Sequence, residues 1–246
     1  MSPLLKSSKL PVTSVRSPVV VGVAFSAGDF EPVSELLSAL PAACDAALIV
    51  VQHLDSSREK LLFETLRQRA IRPVTRPHDG VVAEPGHVYV ATANMALTMT
   101  GGRIRVTPKA DGLHHSGDIL FASLAQQLGH GAIGVVLSGQ GFDGALGIRA
   151  IRQSGGVTLA QFPGSARFPS MPINAIETGC VGLVLRPNEI ARELARLSGH
   201  RSAASPATFQ DECEPPLTLP SQAGPLSAIS VMDCVISPEG CDEHTF

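Results

Sequence analysis

Residues 19–41 read VVVGVAFSAGDFEPVSELLSALP, and they decide the architecture. Val19–Val23 is a short apolar run of four valines about Gly22, which marks a strand buried on both faces. After it, Phe30, Val33, Leu36, Leu37 and Leu40 recur at the 3.6-residue period of a helix, and Pro41 stops that helix. A buried strand followed at once by an amphipathic helix is the unit from which parallel sheets are built.

Working outward, the plan repeats. Ala47–Val51 (ALIVV) is a second buried run, followed by a helical stretch that sets Leu61, Leu62, Leu66 and Ala70 on one face. Between Arg72 and Thr107 the texture changes to short alternating segments, His87–Ala91, Leu97–Thr100 and Arg103–Thr107, separated by Pro-Gly and Gly-Gly turns. That pattern predicts a β-meander inserted beside the main sheet. Helical period returns over Asp118–Leu128. Ala132–Leu137 is the third buried strand, and the Gly-rich turn Ser138–Gly144 opens a helix over Ala145–Gln153. Strands are expected at Val157–Ala160 and Val181–Leu185, with helices near Pro172–Glu177 and from Asn188 to Leu197.

The chain of 246 residues is 44% hydrophobic and 17% charged, a balance that supports one large buried core. Its net charge of −3, with Lys and Arg scattered singly, excludes the basic field that a nucleic-acid backbone requires. Cys44, Cys180, Cys213, Cys234 and Cys241 form no CxxC pair and read as reduced thiols. No apolar run reaches the roughly 18 residues of a membrane span, and the N-terminus lacks a signal-peptide core. These features predict a cytoplasmic protein without membrane insertion. Three segments are expected: an extension over 1–17, a folded domain over 18–199, and an acidic Pro/Ser-rich tail over 200–246, read as disordered. The patch Leu226–Ile236 within the tail could dock as a strand or helix and is assigned no function.

In open parallel sheets ligands bind beyond the carboxyl ends of the strands. The loops expected there carry Ser26, His53 and Asp143, one after each buried strand. Singly, such residues are more often an N-cap, a structural His and a turn. Together they supply what acyl transfer needs: a hydroxyl nucleophile, an imidazole to take its proton, and a carboxylate to orient the imidazole. Ser26 stands at a strand-to-helix turn, half of a G-x-S-x-G elbow, with Gly28 present and Ala24 in place of the first glycine. A rival motif is Gly139-x-Gly141-x-x-Gly144, which follows a strand and precedes a helix as a dinucleotide fingerprint does. Its confirming acidic residue about 20 positions on is missing. With Arg167 in that region, the rival survives only as an NADP site. His78, His87, His114, His115, His130, His200 and His244 show no ligand spacing, so neither metal nor cofactor is predicted.

Four stretches in one order, Ser26-Ala-Gly, Val50-Val-Gln-His53, Pro85-Gly-His-Val-Tyr-Val-Ala91 and Val136-Leu-Ser-Gly-Gln-Gly-Phe-Asp143-Gly-Ala, resemble the catalytic domain of the chemotaxis protein-glutamate methylesterases. Ser116-Gly-Asp-Ile-Leu-Phe121, Gly155-Gly156 and Met171-Pro172 extend the likeness over about Pro18 to Leu197. The resemblance implies an α/β fold: a three-layer, doubly wound, mostly parallel sheet of Rossmann-like type with a small antiparallel meander. It implies the triad Ser26, His53 and Asp143, and hydrolysis of glutamate γ-methyl esters on the cytoplasmic helices of methyl-accepting chemoreceptors, with glutamine deamidation as a related activity. The backbone N–H groups of Ala27 and Gln140 are the expected oxyanion donors. Where that family has G-A-S-T-G-G-P, this chain has Ala24-Phe25-Ser26-Ala27-Gly28-Asp29-Phe30, and Gln140 replaces a Met. An anion at a helix N-terminus competes with a developing oxyanion, which motivates a second reading as a receptor-binding scaffold without turnover. Only 17 residues precede Pro18, so a stand-alone module without a receiver domain is expected.

Overall fold

The computed structural model describes residues 19–26, 30–53, 56–109 and 115–200, and for 53, 56, 57 and 200 the backbone alone. The extension over 1–17, the acidic tail and the patch Leu226–Ile236 lie outside the described residues.

The elements run β1 (Val20–Ser26), α1 (Glu31–Ala39), β2 (Ala47–His53), α2 (Ser56–Arg69), β3 (Val74–Thr75), β4 (Val81–Val82), β5 (Val88–Val90), β6 (Met95–Thr100), β7 (Arg103–Pro108), α3 (Ser116–Leu128), β8 (Ala132–Val136), α4 (Ala145–Gln153), β9 (Val157–Gln161), α5 (Ser170–Glu177), β10 (Leu183–Leu185) and α6 (Pro187–His200). Seven strands form a parallel sheet in the order β10-β9-β8-β1-β2-β5-β3, and β4-β7-β6 form a separate antiparallel sheet. The chain builds rightward from β1 through β2 and then returns to lay β8, β9 and β10 on the other side. The carboxyl ends of β1 and β8 are therefore the point where the winding reverses, which is where such sheets open a binding crevice.

Period-2 alternation sorts the residues of β1 and β2 between two cores. Val21, Val23 and Phe25 with Leu48 and Val50 face Leu36, Leu37 and Leu40 of α1 and its end, Leu62 and Leu66 of α2, and Ile190 and Leu194 of α6. Val20, Ala24, Ala47, Ile49 and Val51 join the opposite core, with Leu120, Phe121 and Leu124 of α3, Ile148 and Ile151 of α4, and Met171 of α5. Two helical layers over one sheet give the parallel α/β sheet that the alternation predicts, in the three-layer, doubly wound form that the resemblance implies.

The two helical layers sit on the sheet by different means. On the α3 side, Gly22 and Gly134 are register partners in β1 and β8. A Cβ on Gly22 would stand 2.8 Å from Phe121, and one on Gly134 would stand 2.6 Å from Ile151. Phe121 and Leu124 of α3 occupy the space Gly22 leaves, and Ile151 and Ile148 of α4 the space over Gly134, which draws both helices close to the strands. On the α1 side no such socket is needed. Leu40 there takes the extended conformation, ψ 120, that suits a residue preceding proline, and the helix ends as Pro41 predicts.

Two expectations are corrected. Leu61 is 59% exposed, because α2 turns Leu62, Phe63 and Leu66 inward and three consecutive apolar residues span more than one helical face. Phe63 instead carries the Arg76 guanidinium over its ring at 4.4 Å. The segment His87–Ala91 is not a meander strand: its Val88–Val90 forms β5, inserted parallel between β2 and β3 in the main sheet. The connection from β3 to β5 carries β4 where a helix is the usual crossover, so the sequence shows only short alternating pieces. The Tyr89 hydroxyl ties the two sheets together, donating to Val82 C=O of β4 at 3.1 Å and accepting from Glu84 N–H at 3.0 Å.

Candidate active site

Ser26 is the last residue of the central strand, and it is half-buried where the rest of β1 is buried. Its register partner on β2 is His53. On its other side the Ser26 N–H donates to Ser138 C=O at 3.2 Å, so the turn after β8 runs beside it. Sequence order alone separates these residues by up to 112 positions (138 minus 26), and the strand order β8-β1-β2 makes them neighbours at one sheet edge.

The turn 138–144 is held from several directions. Gly139 N–H donates to Phe168 C=O at 2.8 Å, and Met171 N–H donates to Gly139 C=O at 2.9 Å. Asn174 Nδ2 and Ser170 Oγ both donate to Gly141 C=O, at 2.8 and 3.1 Å. Gly139 leaves no room for a side chain unless the turn shifts, because a Cβ would collide with Met171 Sδ and stand 2.7 Å from Ser26 Cβ. Gly144 has φ 93, the left-handed conformation that lets the turn enter α4.

A cavity of about 150 Å³ opens at this edge, lined by Ser26, Gln140, Asp143, His115, Phe142 and Met171 among others. It has the size of a side chain, well below the roughly 300–1,000 Å³ of drug-sized ligand pockets. Ser26, Asp143 and Gln140 of the sequence-predicted site therefore share one wall system. Phe25 lies under it as a core residue, 2% exposed, so its bulk fills the α1 side of the sheet. His53 is placed by its backbone only, and Ala27, Gly28 and Asp29 lie outside the described residues.

Asp143 is fixed by the start of α3. Gly117 N–H donates to its Oδ2 at 2.9 Å and Asp118 N–H to its Oδ1 at 3.0 Å. These are the second and third N–H groups of α3, which have no partner inside their own helix, and the carboxylate also complements the positive end of the helix dipole. Lys109, at the end of the β6–β7 hairpin, acts on the same carboxylate: burial lowers its ammonium pKa and the attraction of Asp143 opposes that change.

The sequence pattern does not disclose three contributors. His115 lines the cavity with its ring 5.2 Å from that of Phe142, and its Nδ1 stands 3.7 Å from Asp118 Oδ2. Asp118 reads in sequence as an ordinary first-turn acid, and Lys109 as a strand end. The one signal that points to His115 and Asp118 is the run Ser116-Gly-Asp118, a helix start with an acid at its third position, and none points to Lys109.

His115, Asp118 and Asp143 each offer one donor atom within 4.8 Å of the others. Both Asp143 oxygens are already bonded to helix N–H groups, and the positive helix end disfavours a cation there, so the cluster reads as anions held by a helix. The NADP reading meets a similar obstacle. The N-terminus of α4, where a pyrophosphate would sit, has its Gly147 N–H bonded to Asp118 Oδ1 at 2.8 Å.

Comparisons with known proteins bear on the family and the fold. A family model described as CheB methylesterase matches residues 21–194. Protein-glutamate methylesterase/protein-glutamine glutaminase 3 of Anaeromyxobacter dehalogenans is 38% identical over 180 residues, covering 72% of this chain and 53% of that protein. The Escherichia coli K12 protein of the same description, without the numeral, is 32% identical over 203 residues, covering 80% and 55%. The chain thus spans about half the length of the curated relatives it matches. Among solved structures, the Thermotoga maritima CheB methylesterase catalytic domain superposes with a TM-score of 0.67 at 25% identity, covering 74% of this chain and all of that one. With the motifs, the sheet order and these likenesses in agreement, the chain belongs to the CheB methylesterase family.

Proposed function

We propose that this chain is a serine esterase that hydrolyses glutamate γ-methyl esters, and deamidates glutamines, on the cytoplasmic helices of chemoreceptors. The observation that carries the reading is the place of Ser26: at the carboxyl end of the central strand, in register with His53, in a side-chain-sized cavity it shares with Asp143. The names of the relatives support the choice of substrate. The folded domain is taken as residues 18–199, and the site of action as the cytoplasm; among the described residues no helix is long and apolar enough to cross a membrane.

In this reading the Ser26 hydroxyl attacks the ester carbonyl while His53 takes its proton. Asp143 orients His53 and offsets the charge of the imidazolium. The N–H groups of Ala27 and Gln140 receive the oxyanion, and Gln140 stands in the cavity wall as that role requires. Collapse of the tetrahedral species expels methanol, which takes the proton from His53. Water, deprotonated by His53, then attacks the Ser26 acyl-enzyme; the acyl–Oγ bond breaks as His53 returns that proton to Ser26 Oγ, and the released acid gives its own proton to solvent to leave the glutamate carboxylate. For a glutamine, ammonia leaves in place of methanol.

The test is methanol release from methylated receptor membranes by the purified full chain. Release is expected from the wild type, with Ser26→Ala, His53→Ala and Asp143→Ala each losing about three or more orders of magnitude while remaining folded. Absence of release from the wild type, with receptor binding retained by Ser26→Ala, would replace the esterase with a binding module.

A further inference from the structure

α3 and α4 start beside each other, and neither is capped by the side chain of its own N-cap residue, His115 or Gly144. Each is capped by the other. Asp143, which immediately precedes Gly144, accepts from Gly117 N–H and Asp118 N–H of α3. Asp118, at the third position of α3, accepts through Oδ1 from Gly147 N–H, at the third position of α4, at 2.8 Å. Two acids 25 positions apart thus exchange caps across a helix pair.

The pair is also drawn together sterically. A Cβ on Gly147 would stand 3.1 Å from Asp118 Cα and 2.5 Å from Phe121 Cβ, so the helices approach at the level of the exchanged bonds. The arrangement has a cost. Asp118 is 12% exposed, and its Oδ2 is buried with no hydrogen-bond partner, facing a His115 Nδ1 that likewise has none. Burial raises the Asp118 carboxyl above its ordinary range; the Gly147 N–H pulls it back, and the charge of Asp143 pushes it up again. A helix cap at an open surface would need neither burial nor a second carboxylate at its side. What this cap adds is a fixed origin for α4, one residue beyond Gly144, and so a fixed place for the carboxylate on the other side of that glycine.

We propose that Asp118 is a positioning residue for the esterase reaction: through its bond to Gly147 it locks the first turn of α4 and holds the Asp143 carboxylate in its working place. The inference rests on the triad reading above. The groups facing Asp118 are Asp143, His115 and the N–H groups of Gly144 and Gly147, and Lys109 faces Asp143 from the hairpin.

The experiment measures the rate at which a fluorophosphonate labels Ser26 in the full chain, together with kcat and KM for a methylated receptor. Each is run at a temperature where far-UV circular dichroism shows every variant folded. Asp118→Ala is expected to slow labelling about 10- to 100-fold and to lower kcat by a similar factor, with KM within about twofold of wild type. Asp118→Asn keeps an oxygen for Gly147 N–H and returns both rates to within about threefold of wild type. Should Asp118→Ala not fold, Asp118→Ser, too short to span to Gly147, is measured in its place with the same expectation. Wild-type labelling and kcat in the folded Ala or Ser variant would make Asp118 a structural cap only. An Asn variant as slow as Ala would mean the charge matters and not the bond; either result overturns the inference and leaves the triad standing. A wild type that is not labelled at all would overturn the triad reading and this inference with it.

Discussion

The two helical layers of this protein cover the same sheet and yet are built for different ends. Over one face, α1, α2 and α6 lay aliphatic side chains on Val21, Val23, Leu48 and Val50, and Ser34 and Ser198 are the polar residues buried among the described residues of those helices. Over the other, α3 and α4 reach the sheet through positions where glycine removes the side chain, and they hold two half-buried carboxylates beside the nucleophile candidate. The first layer is held mainly by apolar area, with the Arg69–Glu31 ion pair at its surface. The second combines that area with close approach, because the Asp143 carboxylate can be fixed only by N–H groups brought within about 3 Å of it.

The sharpest way to break the comparison is to remove one large side chain from each layer. Phe121→Ala empties the glycine socket and is expected to cost about 3–5 kcal/mol in urea unfolding. Leu37→Ala, fully buried against the other face, is expected to cost about 2–5 kcal/mol. The energies overlap, but the rates should separate. The folded Phe121→Ala protein should label Ser26 more slowly, since α3 and its N–H groups lose their seat. The folded Leu37→Ala protein should label at the wild-type rate. If both variants label alike, the α3 layer is no more coupled to the site than its counterpart.

A smaller change tests the edge where β1 and β8 part. Gly139→Ala places a methyl group against Ser26 Cβ and Met171 Sδ, and overpacking of that kind costs about 1–3 kcal/mol. The turn must shift to accept it, so labelling of Ser26 is expected to fall further than stability does. Labelling at the wild-type rate would show that the turn moves without displacing the nucleophile, and the contact would then be packing alone.

The two layers also differ in how far the amino-acid sequence reveals them. The apolar periodicity of α1 and the buried runs of β1, β2 and β8 are local signals, and they suffice to locate the sheet, the three loops and the candidates Ser26, His53 and Asp143. The family resemblance adds the order of the motifs. What local pattern does not contain is partnership. Leu61 looks as apolar as Leu62, and only the angle of α2 against the sheet decides which is covered. The β5 strand hides in a meander-like stretch, because its partner is β2, some 40 positions earlier in the chain (88 minus 48), in a pairing no turn announces. Asp118 reads as a first-turn acid stabilising its own helix, whereas its bond runs to α4, and Lys109 reads as a strand end. Each miss concerns a contact set by the packing of distant elements, which no window of sequence contains.

The smallest expected effect bears on the cost of the half-buried carboxylate pair. In the native protein Asp118 keeps its proton to a higher pH than in the unfolded chain, with burial as the leading cause. The folded state therefore binds more protons than the unfolded state across the window above the ordinary carboxylate value. The stability due to the protonated form is complete below about pH 4 and is lost as the pH rises through the raised native value. Asp118→Asn keeps the oxygen that accepts from Gly147 and has no proton to lose. The stability of the wild type relative to this variant, from urea midpoints between about pH 4 and pH 7, should therefore decline as the pH rises. A difference that stays level would mean that Asp118 ionises in the folded protein as it does in the unfolded chain. The α3 layer would then hold its carboxylates without penalty, and the two faces of the sheet would differ in shape alone. A declining difference would show that the site-bearing face gives up stability at neutral pH to keep a charge where no apolar packing requires one.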